Sequence, residues 1–373
     1  MLKKYRLDLT ILIPLFLFMV ISILAIAGAE KLLVGSEHFM IKQLLWYIAG
    51  FGAIFIIMFI GNKVILNNIW ILYIINNIAL ALLLIFAKPI NNSKCWFQIP
   101  GIGGIQPSEF MKIILILTLA KMINDFREKY NNPTYKEEFM FLVKVVIMVL
   151  IPSILTFLEP DTGVVLIYII ITLSMLFVAG IRYRWFALVG GLVLIGVGSV
   201  LFTYFLFPEV FIKIFGTSFF LRVDRLLDWS NKSGYQLENG LAAIGSGGLF
   251  GKGLFKTPIY FPEPQTDFIF AVYASNTGFI GCLFLIILLI YFNVRLIFLA
   301  TNSSQNINKY IIAGILGMLI YQQFQNIGMT LGIMPITGIT LPFISYGGSS
   351  LLSYMIMLGI IFNISNEEKR YRN

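Results

Sequence analysis

The sequence is poor in the residues from which most soluble enzymes build their chemistry. It holds one histidine, His38, and two cysteines, Cys95 and Cys282. A lone histidine excludes a His-rich metal centre. Two cysteines, one of them inside an apolar run, make no disulfide framework. Charge is scarce: Asp, Glu, Lys and Arg supply 12% of the 373 residues, against about a quarter in an ordinary soluble domain. No polar stretch is long enough to fold as a separate soluble domain, so a single membrane domain over residues 1–373 is expected. There is neither a low-complexity tract nor a soluble repeat.

What fills the chain instead is apolar: 58% of the residues are hydrophobic. A soluble core cannot absorb that surplus, but a bilayer can. Apolar runs near 10–29, 43–60, 68–87, 109–123, 141–158, 163–180, 185–207, 268–297, 308–331 and 346–364 read as membrane spans. Each suffices, or nearly so, to cross roughly 30 Å of hydrocarbon. The expected fold class is therefore an all-α polytopic membrane protein with about ten spans. The first run is too long for a signal-peptide core and lacks a cleavage pattern, so it is expected to stay. The eighth is long, and a tilt or break is expected near Gly278 and Gly281.

The net charge of +9 would suggest nucleic acid in a soluble protein. Here the basic residues fall in short loops and report orientation. One set of loops holds Lys3, Lys4, Arg6, Lys63, Arg127, Lys129, Lys136, Arg182, Arg184, Arg295, Lys309, Lys369, Arg370 and Arg372. The opposite short loops hold only Lys31, Lys42, Lys88 and Lys94. Both termini are thus expected in the cytoplasm, and no nucleic-acid partner is expected. The longest connection, 208–267, falls on the outer side between spans seven and eight. Its many Phe, Leu and Ile residues argue against disorder and for a segment lying on, or re-entering, the outer membrane face.

Several segments carry unusual residues. Pro262-Glu263-Pro264-Gln265-Thr266-Asp267-Phe268 is a stiff loop before a span. Asp267 or Thr266 can cap the helix that follows. Equally, Asp267 is a partly desolvated carboxylate suited to general-base work. The stretch from Ile244 to Gly253 is rich in glycine and carries Lys252, which suggests a phosphate cradle. It nonetheless fails the Walker A pattern, since Ser246 stands for the first Gly and Gly253 for the Ser or Thr after Lys252, and a flexible turn is the plainer reading. Gln106-Pro107-Ser108-Glu109 opens the fourth span, and Lys112 lies three residues beyond Glu109 on the same helix face. That pair reads as a functional intramembrane site or as a structural ion pair. Glu159-Pro160-Asp161-Thr162-Gly163 is a tight turn in which Asp161 or Thr162 serves as a helix cap. Gln322, Gln325 and Asn326 share a face of the ninth span, where polar side chains bond helix to helix. Nearly all of these segments map to the outer half of the protein, which suits a lipid-linked, anionic substrate without naming a reaction.

Together the segments resemble the SEDS family of bacterial polytopic proteins, which comprises RodA, FtsW and SpoVE. The resemblance runs from Trp96 to Ser350. It is densest in Asn326-Ile327-Gly328-Met329, in Pro335-Ile336-Thr337-Gly338, and from Leu341-Pro342-Phe343-Ile344-Ser345-Tyr346 to Gly347-Gly348-Ser349-Ser350. Gln106 to Glu109 with Lys112, Pro160-Asp161 with Gly163, Ala243 to Gly248 with Gly251, and Thr266-Asp267-Phe268-Ile269-Phe270 also fit in order. Ile105-Gln106 and the Asn326 to Met329 stretch look more like RodA than FtsW.

The resemblance implies a peptidoglycan glycosyltransferase that polymerises lipid II at the outer leaflet of the cytoplasmic membrane. The family's essential aspartate falls on Asp267, expected to act as general base in an inverting displacement. Lys112, Lys252, Arg222 and Arg225 are candidates for the leaving diphosphate, with a divalent cation, Mg or Mn, as a candidate helper. Trp96, Glu109, Asp161, Glu263 and Ser349 complete the expected substrate-binding set, and no protein metal site is expected. A class B penicillin-binding protein is the implied partner. Two departures stand out: Ser275 and Asn276 occupy places where the family usually carries acids, and Glu159 stands where many members have Gln. A lipid II flippase, or a non-catalytic scaffold that activates a penicillin-binding protein, are the rival readings. Few intramembrane charges disfavour transport, while the Ser275 and Asn276 departures keep the scaffold open.

Overall fold

A computed structural model of the protein describes residues 7–33, 38–87, 94–99, 103–217, 220 and 234–371. Arg222 and Arg225 lie outside the described residues. The elements are α1 (Leu9–Glu30), α2 (Phe39–Ile60), α3 (Asn62–Asn67), α4 (Ile69–Phe86), β1 (Phe97–Ile99), β2 (Gly103–Ile105), α5 (Pro107–Lys129), α6 (Tyr135–Leu158) and α7 (Thr162–Val178). They continue with α8 (Tyr183–Leu206), α9 (Pro208–Phe215), α10 (Tyr235–Ser246), α11 (Ile269–Thr301), α12 (Asn306–Thr330) and α13 (Gly348–Tyr371). Among the described residues ten long helices thus coincide with the ten expected spans, and the chain is an all-α polytopic membrane protein. Seven of them are long and apolar enough to cross a bilayer on those grounds alone: α1, α2, α4, α6, α8, α11 and α13. The 17-residue α7 is apolar but shorter.

Local chemistry starts the helices where the apolar runs begin. Asp8 caps α1 through the Thr10 N–H, and Thr134 with Glu137 forms a reciprocal capping box on α6. Pro107 occupies the first turn of α5, where its missing N–H costs nothing. The helices differ in how much lipid they meet. Along α5, residues are buried on all sides, as expected of a helix at the centre of a bundle. It lies among α4, α7 and α12, while α13 packs along α2 and α12 along α7. At the other extreme, the apolar stretch of α8 is wholly unburied. Its first turn is tied down: Trp185 Nε1 donates to Glu138 Oε2 at 3.0 Å, and Arg182 pairs with the same oxygen at 3.4 Å.

The long α11 is broken, as its glycines suggested. Gly278 has φ 69° and ψ −166°, a conformation essentially reserved for glycine. Backbone groups freed by such a break cannot be left bare in a membrane. They are met by the glycine-rich segment after α10, in a reciprocal exchange. Lys252 N–H donates to Ser275 O and Gly253 N–H to Asn276 O, while Phe279 N–H donates to Gly248 O and Ile280 N–H to Leu249 O. The approach is close enough that a Cβ on Gly278 would lie 2.3 Å from Gly251 N, and one on Gly251 would lie 2.1 Å from Asn276 O. The glycines suggested as a phosphate cradle therefore serve to bring two backbones together. Ser275 and Asn276, where the family's acids were expected, are buried in this joint: the Ser246 and Ser275 hydroxyls are 3.3 Å apart, and Thr257 donates to Asn276 Oδ1 at 3.1 Å.

Candidate functional site

At the end of the bundle opposite the basic loops, the chain encloses a cavity of about 620 Å³. Its wall is drawn from α2, the β1–β2 hairpin, α5, the α6–α7 turn, the loop before α11, α12 and the segment between α12 and α13. Trp96, Glu109, Asp161, Glu263, Asp267 and Ser349, all singled out in the sequence, line it together.

Asp267 is presented by a braced turn. Phe268, not Asp267, is the N-cap residue of α11, and no side chain caps that helix. No hydrogen bond reaches the Asp267 carboxylate among the described residues. Its backbone, by contrast, is fixed. Asn326 on α12 donates through Nδ2 both to Asp267 O at 2.9 Å and to Ile339 O at 2.8 Å. Ser345 Oγ donates to Thr266 O at 2.6 Å, and Tyr346 N–H donates to Gln265 O at 2.9 Å. Gly338 passes so close that a Cβ there would stand 3.6 Å from Asp267 Oδ2. Glu263 adopts φ 50°, unusual for a residue with a side chain and costing about 1–3 kcal/mol unless the surroundings enforce it.

The facing wall is polar and interlocked. Asp161 caps α7 through the Val164 N–H at 3.1 Å and accepts Gln106 Nε2 at 2.8 Å. Ser349 accepts the Gln106 N–H at 3.0 Å and donates to Gly104 O at 3.1 Å, which ties the start of α13 to the hairpin. Trp96 packs over Gly104, where a Cβ would come within 3.2 Å of the indole. Below them Glu109 pairs with Lys112 at 2.7 Å, and the Lys112 ammonium sits 5.1 Å from the centre of the Tyr354 ring. Behind the wall, Glu159 is fully buried with neither carboxyl oxygen hydrogen-bonded, and its carbonyl accepts the Cys95 thiol at 3.0 Å.

Three carboxyls gathered at one end of a membrane protein titrate late. Burial, then the Glu263 and Asp161 charges, push Asp267 up to about 7. Burial raises Asp161 to about 6 against the pull of the Val164 N–H, and burial with Asp161 nearby raises Glu159 to about 8. A base poised near neutrality is what general-base catalysis requires. Among the described residues no group of three or more His, Cys, Asp or Glu is placed to hold a metal ion.

Two expected residues stand apart from this site. Lys112 is fully buried beneath Glu109 and does not line the cavity. Lys252 is exposed beside the α11 break and does not line it either. Conversely, Asn326 and Gln106 were not given these roles in advance. Asn326 was grouped with Gln322 and Gln325 as helix-to-helix glue, yet only Gln322 bonds another helix, through Tyr354 OH at 2.9 Å. Gln325 donates to Pro335 O at 2.8 Å and, like Asn326, bonds a loop. The available signal was position, since Asn326 opens the densest motif.

Fold and site together define a polytopic membrane protein with a carboxylate-bearing cavity at one membrane face. The chain belongs to the family of FtsW, RodA and SpoVE cell cycle proteins, whose model matches residues 4–370. It is 35% identical to a probable peptidoglycan glycosyltransferase FtsW of Coxiella burnetii, over 96% of each chain. To the peptidoglycan glycosyltransferase MrdB of Escherichia coli K12 it is 33% identical, over 98% of this chain and 95% of the relative. These near-equal values do not separate the FtsW and RodA branches. The crystal structure of Thermus thermophilus rod shape determining protein RodA superposes with a TM-score of 0.70 at 25% identity, covering 99% of both chains. A chain from a structure of a peptidoglycan synthase complex that coordinates polymerisation and crosslinking superposes with a TM-score of 0.76 at 25% identity, over 98% of this chain and 99% of that one.

Proposed function

We propose that the protein is a peptidoglycan glycosyltransferase that polymerises lipid II into β-1,4 glycan strands at the outer face of the bacterial cytoplasmic membrane, with Asp267 as general base. The observation that carries this reading is the Asp267 carboxylate, which faces a cavity from a braced backbone and has no hydrogen bond among the described residues, and which burial pushes up to about 7. The lysine and arginine distribution orients both termini to the cytoplasm and so turns the cavity outward.

In the reaction, the 4-hydroxyl of an acceptor N-acetylglucosamine attacks the anomeric carbon of the donor N-acetylmuramic acid. Asp267 takes the hydroxyl proton as the new C–O bond forms, and undecaprenyl diphosphate leaves with the electron pair of the broken bond. An α-linked donor yields a β-linked product by one inversion, so no covalent enzyme intermediate is needed. Trp96 offers an aromatic face to a sugar ring, and Glu109, Asp161 and Ser349 line the space around it. With Lys112 and Lys252 off the cavity, Arg222 and Arg225 remain the cationic candidates for the leaving diphosphate. A class B penicillin-binding protein is the proposed partner, in keeping with the superposition on a chain of a synthase complex.

The test is glycan polymerisation from purified lipid II, with and without a partner penicillin-binding protein. Asp267→Asn is expected to lower the rate by about 10²–10⁴-fold or more while the protein remains folded. Equal rates for the two proteins refute the assignment of Asp267. No polymerisation by wild type under any partner condition favours the flippase or scaffold instead.

A further inference from the structure

Glu263 is the residue of the Asp267 turn whose conformation has no evident local reason. At φ 50° a glycine would sit without strain, yet this position carries a long acidic side chain. Its atoms are spent on the two neighbours of Asp267. The Glu263 carbonyl accepts the Thr266 N–H at 3.4 Å and the Phe268 N–H at 3.2 Å. Its Oε2 accepts the Thr266 hydroxyl at 2.9 Å and Gln265 Nε2 at 3.1 Å. The carboxylate therefore folds back over the turn while still lining the cavity beside Asp267.

We propose that Glu263 is a positioning residue: it holds the turn that presents Asp267 and, by its negative charge, sets the pH at which that base works. The inference rests on the reading of Asp267 as the base. The electrostatic part follows from the inventory of charges around Asp267. Glu263 faces it from its own loop and Asp161 from the start of α7, and both disfavour a second negative charge. Glu109 on α5 faces Asp161 but is neutralised by Lys112 at 2.7 Å. The remaining described elements against Asp267 are neutral: Asn326 of α12 and the segment at Gly338. Among the described residues Glu263 is thus the one exposed, removable charge in the set. Neutralising the charge alone leaves the loop anchored, because Ser345, Tyr346 and Asn326 still hold the carbonyls of Thr266, Gln265 and Asp267.

Two substitutions separate charge from geometry. Glu263→Gln keeps an oxygen that accepts from Thr266 and Gln265 but removes the charge. Glu263→Gly removes both and relieves the backbone. The first readout is the pH dependence of polymerisation. Glu263→Gln is expected to move the acid limb to lower pH by about half a unit or more, as loss of a neighbouring like charge requires. Glu263→Gly is expected to show the same displacement together with a several-fold lower plateau. The second readout needs no activity: infrared titration of the protonated carboxyl band that Asp267→Asn removes, in each variant. An acid limb and an infrared midpoint both unmoved in Glu263→Gln overturn the charge role. A Glu263→Gly protein with the wild-type plateau overturns the turn-holding role. A shifted infrared midpoint in a protein that never polymerises lipid II supports the charge coupling of Glu263 to Asp267 while overturning the glycosyltransferase reading and with it the role in setting a working pH, so the two fail separately.

Discussion

Replacing Gly278 by alanine tests the joint between α11 and the glycine-rich segment. At φ 69° and ψ −166° an alanine is strained by about 1–3 kcal/mol. Its methyl would also stand 2.3 Å from Gly251 N and 2.6 Å from the Leu249 carbonyl carbon and oxygen, all backbone atoms that cannot rotate aside. Relief requires the strands of the joint to part. Loss of the two hydrogen bonds accepted by the carbonyls of the buried Ser275 and Asn276 adds about 1–3 kcal/mol each. The total, roughly 3–9 kcal/mol, rivals the stability of a typical folded domain at about 5–15 kcal/mol. In detergent, Gly278→Ala is expected to melt at least about 5 °C below wild type, as followed by size-exclusion recovery after heating. Gly245→Ala is the control. That glycine is helical and exposed, and a methyl added there would meet nothing within 4 Å, so alanine should be neutral or stabilising by up to about 1 kcal/mol. A Gly278→Ala protein that melts with wild type would refute the reasoning.

The buried acids make stability depend on pH. Glu159, Asp267 and Asp161 hold their protons to about 8, 7 and 6 in the folded state, whereas the unfolded chain releases them near 4. The folded protein thus binds the extra protons across that window, and stability falls as pH rises through it. Melting temperature should be lower at pH 8 than at pH 5, and Glu159→Gln should flatten the decline; a Glu159→Gln profile parallel to wild type would count against it. Breaking the buried ion pair on one side, by Lys112→Met or Glu109→Gln alone, should cost about 3–5 kcal/mol, and the double substitution distinctly less; additive losses measured by chemical denaturation would contradict this. Activity should rise with pH around 7 as Asp267 ionises, and a flat pH–rate profile from pH 5 to 8 would exclude it as the base.

The spans were legible because run length and apolarity are properties of single segments, and the bilayer thickness acts on them one at a time. The pairing of Glu109 with Lys112 was legible for a similar reason, since three-residue spacing places both on one face. Their depth was not, because it depends on Tyr354 arriving more than 200 residues later in the chain. The glycine-rich segment stayed open between a cradle and a flexible turn because backbone-to-backbone recognition leaves no side-chain signature: glycine that admits an anion and glycine that admits another backbone look alike. Asn326 was ambiguous in the same manner, as an amide on a helical face bonds a helix or a loop equally well. Whether Asp267 capped α11 or faced a cavity turned on a one-residue offset in the start of a helix, which local preferences do not resolve.

One pattern of hydrogen bonds bears on biosynthesis. Ser22 donates to the carbonyl of Ile344, Gln43 to that of Ser345, and Tyr47 to that of Phe343. These three side chains of the first two helices thus reach backbone acceptors about 300 residues downstream, while Gln43 Nε2 also donates to Ser22 Oγ at 3.1 Å. A growing chain that has inserted α1 and α2 must carry a glutamine, a serine and a tyrosine in the membrane with those acceptors not yet made. The last loop and last helix are therefore what completes the first. A protein truncated before residue 341, whatever else it retains, would lack the carbonyls that these groups bond and present itself to membrane quality control as unfinished.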